Sequence, residues 1–252
     1  MKKEVGQVRY HFRMSSIIVP AILVSSKKEL EQQLLKARNV GTDVQIDLVD
    51  GHLVSPASWP FTETPTDLDI EKILGAVPAG MTFEIDLMVE RPLEVLDAWI
   101  QAGVTRVLLH LGGLDQIGTL ISEIKKRYGY DKEFIPELLS LGIAINVDTS
   151  LDLVEPFIQD ISFVQFMGIR RIGAQGQPFA PEVLPKIAHF KSKHPEIPIQ
   201  VDGGVTLESA PGLLEAGVSR LIIGSALWKS RDFELTYVLF QEMTREHGMF
   251  AS

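Results

Sequence analysis

The feature that most restricts the fold is a regular alternation. Eight short apolar runs recur along the chain: "IIVPAIL" (17–23), "VQIDLV" (44–49), "MTFEIDLMV" (81–89), "TRVLLHL" (105–111), "GIAINV" (142–147), "ISFVQFM" (161–167), "IPIQVD" (197–202) and "SRLIIG" (219–224). Segments with helical spacing fill the gaps. Ser26 followed by Glu29 is a capping box, and Leu30, Leu34 and Leu35 follow it on one face. Further helix starts fall near Pro92, Pro181 and Thr206. Strict alternation of strand and helix predicts parallel strands joined by right-handed crossovers. Eight such units in 252 residues predict an α/β chain of the (β/α)8 TIM barrel type, with eight strands and eight helical segments. Their even spacing argues against an open doubly wound sheet. The expected organisation is an N-terminal extension, residues 1–16, and a single barrel domain, residues 17–252. The acidic, Pro-containing stretch 55–69 is expected to be a long loop over one barrel mouth.

Charge and composition narrow the function classes. The formal net charge is -9, and the basic clusters are short: Lys27-Lys28, Lys125 to Arg127, and Arg170-Arg171. A nucleic-acid partner is therefore not expected. With no cysteine there is no disulfide scaffold and no thiolate zinc site. No apolar run approaches the ~18 residues of a membrane span. Residues 1–16 carry Lys2, Lys3, Glu4, Arg9 and Arg13 without an apolar run, so they do not read as a signal peptide. The expectation is a soluble, cytoplasmic protein with no membrane partner.

Barrel strands are covered on both faces, so polar residues inside them are the informative ones. Two-residue alternation sends Ile46, Leu48, Phe83, Ile85 and Leu87 outward. It turns Gln45, Asp47, Glu84, Asp86, Met88, Asn146, Gln165, Met167, Gln200 and Asp202 into the barrel, with His110 among them. Asp47, Asp86 and Asp202 fall at or near strand C-termini, the active-site face of such barrels. Buried carboxylates are costly unless paired or metal-bound, and no Lys or Arg is expected on the inward faces. Three acids without a cation imply a bound metal, a raised pKa, or both. The plainer reading is a polar layer hydrogen-bonded across the barrel.

Three glycine-rich loops share that face. "VDGG" (201–204) and "IIGSALW" (222–228) end the last two strands, and "GIRRIGAQGQPF" (168–179) follows the sixth. Glycine lets backbone N–H groups approach an anion, and such loops are a frequent phosphate cradle. Gly176, Gly203, Gly204, Gly224 and Ser225 are the expected donors.

These segments, with "VPAIL", "QIDLVDGHLVSP", "DLMVERP", "GIAINVDTSL" and "AGVSRLIIGSALW", resemble the ribulose-phosphate 3-epimerases and their relatives acting on other ketose phosphates, from about Ile17 to Lys229. The resemblance implies proton transfer at the carbon beside a ketone. One aspartate removes the proton, a metal steadies the enediolate, and a second aspartate returns a proton to the opposite face. Asp47 and Asp202 occupy those two positions. Met88, Asn146, Met167, Gln177 and Arg171 complete the implied substrate pocket.

Departures from the family are specific. Its His-x-Asp is Gln45-Ile46-Asp47 here, and its His-Leu-Met-Val is Asp86-Leu87-Met88-Val89. The substrate-contacting Ser is Ala21, and a Met beside the metal is Val49. The loop after the sixth strand has about one extra residue and carries Arg170 and Arg171. A site of Gln45, Asp47, Asp86 and Asp202 is all oxygen, which favours Mg²⁺ or Mn²⁺ over Zn²⁺. The alternative is no metal, with Gln45 and Asp86 hydrogen-bonded and one acid protonated. No organic cofactor is implied. The partner is a phosphorylated sugar, and homo-oligomerisation is left open. Two functions compete: an epimerase or isomerase on a phosphorylated ketose, and a non-catalytic phosphosugar-binding paralogue. A Schiff-base aldolase lacks its inward lysine. The decarboxylase and hexulose-phosphate synthase group lacks its Asp-x-Lys-x-x-Asp, since the third strand reads Glu84-Ile85-Asp86-Leu87-Met88.

Overall fold

A computed structural model describes residues 17–41, 43–63, 70–75, 81–112, 116–128, 139–173 and 175–247; the expected N-terminal extension lies outside the described residues. Eight parallel strands close in chain order into a barrel. They are β1 (Ile17–Ile22), β2 (Asp43–Val49), β3 (Thr82–Met88), β4 (Val104–His110), β5 (Ser140–Ile145), β6 (Phe163–Met167), β7 (Ile199–Asp202) and β8 (Arg220–Ile223). Pairing of β8 with β1 shuts the ring. Around it lie α1 (Lys27–Ala37), α2 (Ile70–Gly75), α3 (Pro92–Gln101), α4 (Ile117–Tyr128), α5 (Val183–Lys193), α6 (Ala210–Glu215), the four-residue α7 (Ser225–Trp228) and α8 (Phe233–His247). Among the described residues no helix is long and apolar enough to cross a membrane.

The expected helical segment between β5 and β6 is not an α-helix among the described residues. Two 3₁₀ turns, Leu151–Leu153 and Glu155–Phe157, stand there. Pro156 explains the break, because it has no N–H for an i→i−4 bond and its ring crowds the preceding turn. In α1, Glu29 N–H donates to the Ser26 hydroxyl as a cap should. The Glu29 carboxylate, however, turns back to Ser25, accepting from its N–H and hydroxyl. Leu30, Leu34 and Ala37 are buried, but Leu35 is exposed. One residue on from Leu34 is about 100° round the helix, which carries Leu35 off the apolar stripe. In the loop after β2, residues 55–63 are described. Trp59 of that loop is buried edge-on against Trp99 of α3, ring centroids 6.1 Å apart.

The period of two sorts the core into separate regions. Ile46, Leu48, Ile85, Leu87, Val201 and Leu221 join one large layer between strands and helices. Leu108, Ala144, Phe163 and Met167 form a second cluster, and Val19, Ala21 and Ile222 a third, both built from the opposite strand face. The interior therefore holds little apolar volume, and side chains able to hydrogen-bond fill the rest.

The expectation that no Lys or Arg faces inward is wrong. Arg106 and Arg220 both enter the barrel. Arg106 Nε donates to Glu84 at 2.5 Å, and its guanidinium stacks 3.9 Å from the Phe163 ring centroid. Arg220 reaches Asp43 at 3.2 Å and Glu84 at 3.6 Å. Burial would raise the Glu84 carboxyl, but the two guanidiniums and the hydrogen bonds from Arg106 and Gln200 hold it below its ordinary value. Both cations sit near strand N-termini, so they neutralise the floor and leave the mouth to the aspartates.

Candidate active site

Register sets the site. Asp47 of β2 lies beside Asp86 of β3, and Met167 of β6 beside Asp202 of β7. Carboxylate oxygens of Asp47, Asp86 and Asp202 come within 4.8 Å of one another. Asp86 is fully buried. Its Oδ1 is 2.6 Å from His110 Nε2, and its Oδ2 accepts from Gln165 Nε2 at 3.3 Å. Asp47 accepts from Gln45 Nε2 at 2.9 Å. Gln45 thus donates to Asp47, and the alternative in which Gln45 bonds Asp86 is not what the side chains do.

Crowding dictates the protonation chemistry. Burial, then repulsion from Asp202 and Asp86, pushes the Asp47 carboxyl well above its ordinary value. Burial and Asp86 push Asp202 up to about 7, against a hydrogen bond from the Gly203 backbone. Burial opposes charging of His110, but Asp86 beside it outweighs that and raises it.

Above the aspartates a cleft opens to solvent, lined by Asp47, Met88, Met167, Gly176, Gln177, Asp202, Gly203, Gly204, Gly224 and Ser225. The glycines are there for steric reasons. Gly204 has φ +67, and a Cβ on it would lie 2.6 Å from the Phe179 backbone, where the β7 and β6 loops meet. Sequence reasoning missed Leu23, Ile169, Gly173, Gln175 and Val205, which also line the cleft. It missed Ser58 as well. Ser58 is buried, accepts from Val49 N–H at 2.9 Å and donates to the Asp47 carbonyl at 3.0 Å, fixing the end of β2. No strand pattern marks a residue that reaches back from a loop. Asp50 serves the fold. It accepts from the N–H groups of His52 (2.8 Å) and Glu90 (2.6 Å), tying the β2 turn to the end of β3.

Two expected pocket residues lie elsewhere. Arg171 is exposed and does not line the cleft. Ile169 and Ile172 take the inward positions of that loop, packing with Met167, and Arg170 turns outward to pair with Glu182. Asn146 also stays off the cleft wall; its backbone carbonyl accepts from Lys186 at 2.8 Å, and its Oδ1 is buried without a partner.

A profile described as the Ribulose-phosphate 3 epimerase family matches residues 17–228. The chain belongs to the ribulose-phosphate 3-epimerase family. Within it, the chain is 28% identical over 230 residues to a ribulose-phosphate 3-epimerase of Bacillus subtilis (strain 168), covering 85% of this chain and 93% of that one. It is 27% identical over 233 residues to the chloroplastic ribulose-5-phosphate-3-epimerase of Arabidopsis thaliana, covering 88% of this chain and 75% of that one. Among solved structures, KGPDC from Streptococcus mutans superposes with a TM-score of 0.63 at 13% identity, covering 92% of this chain and 98% of that one. At that identity the likeness concerns the fold.

The three aspartates could hold a metal ion. The donor chemistry fits a hard divalent cation: crowded carboxylates need a counter-charge, and the buried Gln45 Oε1 has no hydrogen-bond partner in its present setting. Among the described residues no imidazole joins the cluster, because His110 addresses Asp86 instead.

Proposed function

We propose that the cleft epimerises a phosphorylated ketose of the ribulose 5-phosphate type. Asp47 and Asp202 would exchange the proton on the carbon beside the ketone, working from opposite faces through an enediolate. One observation carries this: two carboxyls with raised proton affinity, on strands three steps apart round the ring, share one cleft with a glycine-lined cradle. A base with pKa near the working pH is the efficient one. The cradle of Gly176, Gly203, Gly204, Gly224 and Ser225 would hold the phosphate and so place the reacting carbon between the acids. Asp86, held on both oxygens, is suited to stay fixed while its neighbours move protons. Mg²⁺ or Mn²⁺ is favoured over Zn²⁺, with Asp47, Asp86, Asp202 and Gln45 as oxygen donors. When bound, it supplies positive charge to the substrate oxygens as they become anionic.

A second reading, a phosphosugar-binding protein without turnover, is favoured by one contact. The Gln45 amide donates to the Asp47 oxygen and so stabilises the ionised, acceptor-occupied form. Deuterium uptake from heavy water into ribulose 5-phosphate separates the two. Uptake that Asp47→Asn and Asp202→Asn each abolish supports epimerisation. Binding of the sugar phosphate with no uptake by the unaltered protein supports the second reading.

A further inference from the structure

The three aspartates are not held alike. Asp47 takes one amide hydrogen bond and Asp202 one backbone hydrogen bond from Gly203. Asp86 is gripped on both oxygens by side chains of two other strands. That grip has a fixed polarity, which can be followed up from the floor. Arg106 and Arg220 are donors only. They point at Gln200 Oε1, at 3.2 and 3.3 Å, and so turn its amide nitrogen the other way. Gln200 Nε2 then donates to Glu84 at 2.5 Å and to Gln165 Oε1 at 2.7 Å. With its oxygen taken, Gln165 presents Nε2 to Asp86. A flip of either amide would set oxygen against oxygen. On the other side, His110 Nε2 meets Asp86, while His110 Nδ1 is buried without a partner. An imidazole kept only for packing would be better replaced by an apolar ring, since an orphaned buried nitrogen costs stability. The contact with Asp86 is the one hydrogen bond its ring makes among the described residues.

We infer that His110 and Gln165 are positioning residues that fix Asp86 as a cation ligand, so that divalent-cation affinity depends on two side chains outside the ligand set. This rests on the metal site put forward under Proposed function. Each Asp86 oxygen keeps a lone pair beyond the one its clamp uses. Holding a ligand in place through such hydrogen bonds characteristically changes metal affinity ~10–100-fold.

The test uses full-length protein stripped of metal, with free Mn²⁺ followed by electron paramagnetic resonance and inorganic phosphate binding by calorimetry. His110→Met should weaken Mn²⁺ binding ~10–100-fold, and His110→Gln, which keeps an N–H at similar reach, should recover most of it. Gln165→Met should weaken it from the other oxygen. Phosphate affinity should be unchanged in all three, because the cradle does not touch the clamp. If His110→Met does not fold, Gln165→Met decides the matter. Unchanged Mn²⁺ affinity in folded variants overturns the inference alone, and so does a parallel loss of Mn²⁺ and phosphate binding, which marks a general disturbance of the barrel. No Mn²⁺ binding by the unaltered protein overturns the inference and the metal site together, while leaving phosphate binding to speak for the cradle.

Discussion

Metal-free protein should lose stability as the pH rises from 5 to 8. The perturbation is the ionisation of Asp202 among buried acids. Its carboxyl is raised from an ordinary 3.8 to about 7, so between those values the folded chain binds a proton that the unfolded chain has released. Stability falls wherever the folded state holds more protons. The loss therefore begins near the unfolded value, accumulates through the window and levels off above about 7. Between pH 5 and the folded value of about 7 the slope acts over about 2 pH units, which at ~1.4 kcal/mol each amounts to ~3 kcal/mol. Asp47 is displaced in the same direction and adds to the fall. For a chain of this size, ~1 kcal/mol moves Tm by roughly 2–4 °C, so the drop should be on the order of 10 °C. The assay is thermal unfolding by circular dichroism in EDTA across that pH range, beside Asp202→Asn. The variant cannot ionise and should show a clearly flatter profile. A wild-type Tm that holds level or rises, or an Asp202→Asn protein with an undiminished slope, would refute the reasoning.

Adding Mn²⁺ should raise Tm more at pH 8 than at pH 5, because cation and proton compete for the same carboxylates; an equal shift at both pH values counts against the aspartate site. In the exchange assay, Asp47→Asn and Asp202→Asn should each cost at least the ~10²–10⁴-fold attributed to a general acid or base. Arg106→Met should destabilise the fold by ~3–5 kcal/mol, since it leaves Glu84 buried with half its counter-charge; chemical denaturation measures this, and a loss under about 1 kcal/mol would show that Arg220 suffices. Gly204→Ala should abolish phosphate binding measured by calorimetry while the barrel stays folded, because the added Cβ meets the Phe179 backbone.

The strands are legible because their pattern is redundant. A run such as Val44 to Val49 has apolar residues that must face the helices, so Gln45 and Asp47 can only face in. That logic locates the inward polar residues of β2, β3, β6 and β7. It also turns His110 inward, and carried further back along β4 it would turn Arg106 inward too. Arg106 escapes notice because a long cation at a strand start reads as solvent-exposed. Pro156 is a visible signal against an α-helix between β5 and β6. What the sequence does not display are contacts that depend on how loops fold back, such as Ser58 on Asp47. The same limit misplaces Arg171: in an irregular loop no period tells which of Ile169, Arg170, Arg171 and Ile172 points inward.

The charged floor has a consequence for how the barrel is assembled. A parallel strand that slides by two residues keeps its apolar face toward the helices, so hydrophobic pattern alone tolerates the error. Here such a slip would lift Gln200 away from Glu84 and Gln165, and leave Arg106 and Arg220 without their shared acceptor. Buried charges stranded in this way are among the costliest defects a fold can carry. Glu84, Arg106, Gln200 and Arg220 therefore act as a key cut across β3, β4, β7 and β8, accepting one alignment of the staves and rejecting its neighbours before any ligand arrives.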